Sequence, residues 1–504
     1  MSILKSIITW GNTKRLHEID LFRRFPMEVQ EETLLKLIDR AKDTTIGKLF
    51  AFGNIQTAAD FQRNVPLSDY ESVKGNVEKL RKGEQNILWP GDVKWFAKSS
   101  GTTSDKSKFI PVSKDALEEC HFRGGKDVLA IYTDQNPDTE IFSGKGLTLG
   151  GSHQIDNFSN DSYYGDLSAI LIENLPWWVD FIRTPSQKVA LISEWEEKLD
   201  KLTHETLKEN VTNIAGVPSW NLVMIKHILN FTGKSNLLEV WPNIELFTHG
   251  GVSFAPYREQ FRRLIPSEKM NYLETYNASE GFFAIQDSPS TDDMLLMLDY
   301  GIFYEFIPLE EINNSTPKVL TIADVELNKN YAIVISTNSG LWRYVIGDTV
   351  KFTSRFPHKI KITGRTKHFI NAFGEELIID NAEKALNTAC EKTGAQIKEY
   401  TAAPIYMAEN SQGAHEWLIE FETDPNDIEF FATILDNALC AANSDYEAKR
   451  YKNITLAPPV VQRMEPGTFF RWMKERGKLG GQNKVPRLSN TREYIDALLS
   501  LPKN

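Results

Sequence analysis

The chain has 504 residues, of which 41% are hydrophobic and 25% are charged. At about 150 residues per domain, this length predicts two to four folding units of a globular protein. The formal net charge of −11 argues against a dedicated binder of nucleic acid or of an anionic membrane surface. A local basic pocket is compatible with that total charge.

Cysteine usage and the first residues of the chain bear on its compartment. Cys120, Cys390 and Cys440 are far apart and show neither metal-ligand spacing nor a disulfide framework, which fits a reducing compartment. Residues 1–10 are too short and too interrupted for a signal peptide, and no apolar run in the sequence approaches the length of a membrane span. The sequence therefore predicts a cytoplasmic protein without a membrane partner.

The first clear elements are a helix over residues 28–41 and a hairpin further along. Leu34, Leu37 and Ile38 belong to an apolar stripe at helical spacing. Strands are predicted over residues 92–97 and 109–112, and Ser113 is predicted to cap a following helix.

The segment between these two strands is rich in hydroxyl side chains. It includes Ser99, Ser100, Gly101, Thr102 and Thr103 and ends in Lys108. Small hydroxyl side chains let backbone N–H groups approach a phosphate, glycine permits a tight turn, and lysine adds positive charge. An exposed serine- and threonine-rich turn explains the composition equally well.

Two short motifs follow in the middle of the chain. Gly250 and Gly251 follow an apolar strand over residues 244–247, and paired glycines let the backbone lie flat against a planar ligand such as adenine. A strand-to-helix turn explains the two glycines as well. In the segment YNASEG, Tyr276 is placed to stack on a purine and Glu280 to hold Mg²⁺ between phosphates, although an ordinary polar turn is the alternative.

Short strands are predicted at close spacing over residues 294–298, 301–307, 331–337, 341–346, 349–352 and 360–363, which indicates a small barrel or a meander. Asp348, after a strand and a glycine, is placed to accept ribose hydroxyls; an Asx turn is the alternative. We expect Arg343 to pair with a carboxylate on the surface of this unit rather than to contact a ligand.

The pattern changes after residues 369–374, where strands and helices begin to alternate as an α+β unit. Just before this point, Arg365 is a candidate contact for ribose or phosphate; a solvated surface turn is the alternative. Near the end of the sequence, the glycine-rich segment 477–487 displays Lys484. A mobile loop suits a charge that must arrive late in a reaction, and an exposed basic loop is again the alternative.

Taken in this order, these motifs resemble those of the adenylate-forming superfamily. More specifically, they are similar to the auxin-responsive acyl acid–amido synthetases, the Gretchen Hagen family. The similarity rests on SSGTT with Lys108, YNASE at 276–280, YVIGD at 344–348, the Gly-Glu pair at 374–375 and KVPR at 484–487. The sequence departs from the wider superfamily where Ser104, Asp105 and Lys106 replace a glycine of the phosphate loop. It also has Lys367 in place of an acidic hinge residue.

The resemblance implies an α/β fold with two domains. Residues 1–370 would form a large N-terminal domain, a β-barrel plus mixed sheets flanked by helices, that binds ATP and the acyl substrate. Residues 371–504 would form a smaller, mobile α+β lid that carries the lysine loop. The protein is expected to be a monomer.

The resemblance also assigns roles to residues. Catalysis would depend on Lys484 and on Glu280, the latter as ligand of Mg²⁺. ATP would be bound by Ser99, Ser100, Gly101, Thr102, Thr103, Lys108, Gly251, Val252, Tyr276, Ser279, Asp348 and Arg365. The acyl substrate would contact Ser253, Phe254 and Tyr257, which follow the adenine turn. Trp177 and Trp178 are further candidates for the acyl pocket, but plain core residues are the favoured interpretation.

The implied reaction is adenylation of a carboxylic acid by ATP, followed by transfer of the acyl group to an amino acid. An acyl-CoA ligase would share the first step and differ in the acceptor. A nucleotide-binding protein without catalysis would bind ATP and release no pyrophosphate.

Overall fold

The computed structural model describes residues 3–100, 107–149, 156–157, 162–255, 257–366, 369–408, 411–453, 455–476 and 485–501. For residues 3–10, 100, 107, 156, 157 and 380 it describes the backbone alone. Gly101, Thr102, Thr103 and Lys484, which the sequence selects as site residues, lie outside the described residues.

Helices flank the sheets along the whole chain. In chain order they are α1 (Ile3–Arg24), α2 (Pro26–Ala41), α3 (Thr45–Leu49), α4 (Ala58–Asn64), α5 (Tyr70–Arg81), α6 (Phe122–Gln135), α7 (Leu167–Glu173), α8 (Gln187–Ala190), α9 (Trp195–Thr206), α10 (Pro218–Thr232), α11 (Arg258–Leu264), α12 (Ile379–Thr393), α13 (Ile428–Ala442), α14 (Ser444–Arg450), α15 (Thr468–Glu475) and α16 (Glu493–Leu499).

The strands, in the same order, are β1 (Trp95–Ser100), β2 (Ser107–Val112), β3 (Lys145–Thr148), β4 (Asp156–Asn157), β5 (Tyr163–Gly165), β6 (Arg183–Thr184), β7 (Val211–Gly216), β8 (Leu246–His249), β9 (Asn271–Ala278), β10 (Gly281–Ile285), β11 (Met294–Leu296), β12 (Ile302–Pro308), β13 (Leu320–Thr321), β14 (Asn330–Thr337), β15 (Tyr344–Arg355), β16 (His358–Arg365), β17 (Phe369–Ile370), β18 (Leu377–Ile378), β19 (Gln396–Ile405), β20 (Ala414–Thr423) and β21 (Val460–Met464).

The local sequence explains where several helices begin and end. Helix α2 starts at Pro26, whose fixed φ suits a first turn, and buries Leu34, Leu37 and Ile38 as the periodicity predicts. Ser113 accepts a hydrogen bond of 3.0 Å from the backbone N–H of Ala116, so its capping role is confirmed. That cap opens a π-helical segment, Ala116–His121, which leads into α6.

One large mixed sheet positions most of the candidate site residues. Its strand order is β13-β12-β14-β15-β16-β11-β10-β9-β8-β7-β3-β6. Strands β3, β6, β7, β8 and β9 pair in parallel, and the β9–β10 and β14–β15–β16 pairs are antiparallel. The sequence predicts a small barrel or a meander for the later strands, and the observed strand pairings are those of a meander. The order of the whole sheet starts at β13 and ends at β6.

Two details of this meander differ from the sequence-based expectations. The strands predicted at 341–346 and 349–352 are one strand, β15, in which Gly347 adopts a φ of 97° that lets the strand continue through an irregular step. Arg343 pairs with Glu305 at 3.0 Å as expected, but both side chains are buried rather than on the surface. The backbone carbonyl of Val65 also accepts from the guanidinium, at 2.7 Å, which compensates for the burial of the charge.

The remaining strands form three smaller sheets. β2-β1-β5-β4 carries the hydroxyl-rich hairpin, β17-β18 is a short antiparallel pair, and β19-β20-β21 is covered by α12 and α13. A single apolar cluster contains residues on both sides of position 370, including Tyr257 and Phe373. The boundary at 370/371 stays a prediction. No helix in the described part of the chain is long and apolar enough to cross a bilayer.

Candidate active site

Asp348 is held by two neighbours at the middle of the large sheet. The buried hydroxyl of Tyr276 donates to Oδ2 of Asp348 at 2.6 Å, and Nε of Arg365 donates to Oδ1 at 2.7 Å. Asp348 and Arg365 are directly opposite each other on β15 and β16, and Tyr276 comes from β9. The structure thus brings together three residues that the sequence selected separately.

The guanidinium of Arg365 also connects this cluster to the segment that follows β17. Its two terminal nitrogens donate to the two carboxylate oxygens of Glu376, at 3.1 and 3.2 Å. Burial lowers the pKa of Arg365, but the carboxylates of Glu376, Asp348 and Glu280 raise it by more, so that the pKa ends above its usual value. The arginine is therefore permanently charged between three acidic groups.

Glu280 lies in the tight turn between β9 and β10, where Ala278 pairs with Gly281. Burial raises the pKa of the Glu280 carboxyl to about 7; the positive charge of Lys108 opposes this shift, and the negative charge of Asp348 adds to it. The carboxyl is accordingly close to its titration point at neutral pH. Ser279, its neighbour in the turn, is half-buried.

The predicted hairpin is confirmed at its two strands. β1 and β2 are antiparallel, with Ser99 opposite Lys108 and Ser100 opposite Ser107. The ammonium of Lys108 lies 5.9 Å from the centre of the Tyr70 ring, and the Tyr70 hydroxyl accepts from the backbone N–H of Phe109 at 2.9 Å. Burial raises the pKa of Glu280 and the positive charge of Lys108 opposes this shift, so the base of the hairpin is close enough to the carboxylate cluster to act on it electrostatically.

The proposed adenine turn follows directly from β8. A Cβ on Gly250 would lie 2.5 Å from the carbonyl oxygen of Thr275, so the close approach of β9 requires glycine here. Gly251 has a φ of 82° and is exposed, Val252 is buried, and Ser253 is exposed. The carbonyl of Gly251 accepts a hydrogen bond of 3.1 Å from the side chain of Asn371.

Two of the three predicted acyl contacts are buried. Phe254 stacks on His249 with ring centres 4.1 Å apart and also contacts Phe261. The hydroxyl of Tyr257 donates to the carbonyl of Ala372 at 2.7 Å. In this arrangement both side chains already have protein partners, and their role as substrate contacts stays a prediction.

Two tryptophans that sequence reasoning favours as core residues lie at the surface. Trp177 is 79% exposed and Trp178 is 44% exposed. They belong to a short 3₁₀ segment, Trp177–Phe181, in which no residue is buried. The expectation that these large rings are plain core is therefore wrong, since neither has enough neighbours to exclude water.

Sequence reasoning did not select Glu376 and Asn371 as site residues. Glu376 follows Glu375, and nothing in the linear pattern tells which of two adjacent carboxylates faces Arg365. The fold decides: Glu376 adopts a φ of 40°, while Glu375 is buried and accepts from the backbone N–H of Phe373 at 2.7 Å. A glycine followed by two acids in a polar turn is the only local signal.

The residues present fit a nucleotide bound with Mg²⁺. Within the described ranges, no group of three or more His, Cys, Asp and Glu side chains forms a metal cluster. Mg²⁺ in nucleotide sites is typically held by one or two carboxylates, water and phosphate oxygens, so a single carboxylate such as Glu280 suffices. Lys108 and Arg365 provide positive charge near it, as a polyphosphate requires.

Comparison with known families and proteins identifies the family of the chain. Family models described as the GH3 family N-terminal, central and C-terminal domains match residues 15–270, 295–365 and 380–493. The indole-3-acetic acid-amido synthetase GH3.3 of Arabidopsis thaliana is 21% identical over 97% of this chain and 93% of its own length. The 4-substituted benzoates-glutamate ligase GH3.12 of the same plant is 21% identical over 87% of this chain and 88% of its own.

Solved structures show the same fold. The AtGH3.15 acyl acid amido synthetase, in complex with 2,4-DB, aligns with a TM-score of 0.61 at 17% identity over 98% of this chain and 96% of that chain. A 2-hydroxyisobutyryl-CoA ligase aligns with a TM-score of 0.56 at 12% identity over 94% and 91%. The predicted fold class and the family resemblance are both confirmed. Because the N-terminal model alone spans half of the chain, and two further models match the rest in order, the chain belongs to the GH3 family.

Proposed function

We propose that this ligase joins a small carboxylic acid to the amine of an amino acid, through an acyl-adenylate made from ATP. The observation that carries the proposal is the convergence of Tyr276, Asp348 and Arg365 beside Glu280, next to the glycine turn at 250–251. Relatives named as an indole-3-acetic acid-amido synthetase and a 4-substituted benzoates-glutamate ligase support the second step. The cytoplasmic location and the monomeric state stay predictions from the sequence.

We assign the nucleotide contacts from the motifs of the family and, for the described residues, from this geometry. The backbone of Gly251 and Val252 would lie against the adenine, with Tyr276 beside it, and Asp348 would accept the ribose hydroxyls. The phosphates would be held by Ser99, Ser100, Gly101, Thr102, Thr103, Ser279 and Lys108. The hydrogen bond from Arg365 orients the Asp348 carboxylate, which would then accept hydrogen bonds from the ribose.

In the first step a carboxylate oxygen of the acid attacks the α-phosphorus of ATP, and the bond to pyrophosphate breaks. Charge increases on the phosphate oxygens in the transition state, and Lys484 would neutralise part of it. Glu280 would hold Mg²⁺ together with the phosphates, and the ion would supply further charge neutralisation. Positioning by the hairpin and electrostatic stabilisation by the lysines account for the catalysis.

In the second step the amine nitrogen attacks the acyl carbon of the adenylate. The bond between that carbon and the AMP oxygen breaks, and a proton leaves the nitrogen as the amide forms. An acyl-adenylate hydrolyses readily, so residues 371–504 would act as a lid that excludes water. Ser253 is exposed beside the adenine turn, and we propose it as the acyl contact nearest to the reacting carboxylate, with Phe254 and Tyr257 behind it.

The test is pyrophosphate release with MgATP and a panel of aromatic, indole and fatty carboxylic acids. We expect release that depends on the acid and an amide product when an amino acid is added. Formation of an acyl-CoA instead would identify a CoA ligase. ATP binding without release for any acid would indicate a nucleotide-binding protein without catalysis, and orthophosphate as the product would indicate acyl-phosphate chemistry.

A further inference from the structure

Asn371 makes hydrogen bonds in three directions from the turn that follows β17. Its side-chain nitrogen donates to the carbonyl of Gly251 at 3.1 Å, in the proposed adenine turn. Its side-chain oxygen accepts from the backbone N–H of Glu376 at 3.4 Å, and its own backbone N–H donates to the side-chain oxygen of Asn490 at 2.6 Å. One residue therefore touches the nucleotide site, the partner of Arg365, and the C-terminal segment.

Glu376 connects the same turn to the proposed ribose carboxylate. Its two oxygens bind the two terminal nitrogens of Arg365, whose third nitrogen binds Asp348. A planar, bidentate pair of this kind fixes orientation as well as distance. The φ of 40° at Glu376 is unusual for a residue with a side chain, and the surrounding contacts hold it there.

The turn itself is rigidly held. Glu375 is completely buried and accepts from the backbone N–H groups of Ala372 and Phe373 at 3.1 and 2.7 Å. The ring of His415 lies 2.8 Å from the same carboxylate. These contacts join the turn to buried neighbours on both sides.

The C-terminal segment bound by Asn371 begins directly after Lys484 and is held along the edge of β19. Val485 is buried, and the hydroxyl of Thr401 donates to the carbonyl of Pro486 at 2.7 Å. The backbone N–H of Ser489 donates to the carbonyl of Ala402 at 3.0 Å, and the N–H of Ala402 donates to the carbonyl of Arg487 at 2.9 Å. Residues 485–490 are therefore held against β19.

We propose that Asn371 and Glu376 are positioning residues, which couple the placement of residues 485–490, the segment that follows Lys484 in the sequence, to the bound nucleotide. The proposal rests on the proposed function, because it assumes that Lys484 acts in adenylation. Asn371 contacts the adenine turn at Gly251, and Glu376 is connected to the ribose carboxylate, Asp348, through Arg365. Through these contacts the position of residues 485–490 depends on an ordered nucleotide site. Neither residue needs to touch the substrate to have this effect.

The test compares Asn371→Ala and Glu376→Gln with the unaltered full chain. We expect each variant to lower kcat for acid-dependent pyrophosphate release by about 10-fold and to change the Kd of MgATP by less than about 3-fold. In a Lys484→Ala background, the same substitutions should change the residual rate by less than about 2-fold, because residues that act through one another are not additive. The proposal would be overturned if the two variants lost only affinity for ATP. It would also be overturned if their effects on kcat multiplied with the effect of Lys484→Ala.

A matched control variant and an alternative variant separate a positioning effect on kcat from a general loss of folding. Asp436→Asn weakens a comparable, largely buried pair with Arg450, whose Nε lies 2.7 Å from the Asp436 carboxylate, and should leave kcat unchanged. If Asn371→Ala does not fold, Asn490→Ala removes the same link from the other side.

Hydrogen exchange separates this proposal from the proposed function. MgATP should slow amide exchange over residues 485–490 in the unaltered chain, and Glu376→Gln should abolish that slowing. This readout needs no acid substrate. A chain that binds MgATP without slowing this segment contradicts the positioning role, whereas slowing without pyrophosphate release contradicts only the proposed function.

Discussion

The buried hydroxyl of Tyr276 donates a hydrogen bond of 2.6 Å to the carboxylate of Asp348. Because Arg365 binds the other oxygen of the same carboxylate, contacts within the protein fix the orientation of the carboxylate. Each carboxylate oxygen still has a lone pair available for a ribose hydroxyl. Asp348 thus combines a fixed geometry with remaining capacity to bind, as its proposed role toward ribose requires.

Replacing this tyrosine should weaken ATP binding more than it slows the reaction. Tyr276→Phe removes the hydroxyl and keeps the ring, so we expect the KM for ATP to rise by about 3- to 10-fold with little change in kcat, in line with about 1 kcal/mol for one hydrogen bond. Steady-state pyrophosphate assays measure both. Tyr304→Phe is the matched control, because the buried Tyr304 hydroxyl has no hydrogen-bond partner among the described residues. An equal rise in KM for both variants would contradict the role of Tyr276.

The raised pKa of Glu280, about 7, predicts a pH dependence of ATP use. Below pH 7 the carboxyl holds a proton, which must leave before the group can bind Mg²⁺ with the phosphates. We therefore expect kcat/KM for MgATP to fall as the pH decreases below 7, by up to about 10-fold per unit. Glu280→Gln should give a low and flat profile between about pH 6 and 8. A variant profile that still falls below pH 7 would assign the titration to another group.

The same shift predicts an effect on stability of a definite sign. The folded pKa of about 7 is above the ordinary value of 4.5, so the folded state binds the proton more tightly than the unfolded state does. Stability is therefore lost as the pH rises from 4.5 to about 7. At about pH 8, Glu280→Gln should raise the Tm and add on the order of 1 kcal/mol to the free energy of unfolding, with less effect at about pH 5. Thermal unfolding at the two pH values measures the difference.

Lys484 should affect the chemical step more than binding. We expect Lys484→Ala to lower the rate of adenylation by about 100-fold or more, whereas the Kd of MgATP should increase by much less. Single-turnover pyrophosphate release and calorimetric titration measure the two quantities. Lys474→Ala replaces an exposed lysine at the end of α15 and serves as the control. Equal losses of rate and affinity would contradict a charge that acts in the transition state.

The buried pair of Arg343 and Glu305 should contribute to stability and not to activity. Glu305→Ala would leave the guanidinium without its carboxylate in the core, which typically costs about 3 to 5 kcal/mol. We expect a clearly lower Tm and an unchanged rate of adenylation per folded molecule. A double variant with methionine at both positions should recover part of the loss. An unchanged Tm in Glu305→Ala would show that the pair is not needed for the fold.

The sequence by itself determined the features that depend on neighbouring residues. The strands around the hairpin, the cap at Ser113, the apolar stripe of the helix over 28–41 and the glycine turn at 250–251 follow from local propensity and steric requirements, and the structure agrees with them. The order of the motifs also sufficed to indicate the family, because each motif keeps its place along the chain.

Only the tertiary structure decided which residues meet and how they are charged. Arg365 binds Asp348 across a sheet and Glu376 across a turn, and the proximity of these groups, together with burial, sets the pKa of Glu280. The burial of Arg343 and the exposure of Trp177 are equally invisible in the sequence. Hydrogen bonds, charge and solvent exclusion act between residues that are close in space, so a linear pattern predicts the groups but not their partners.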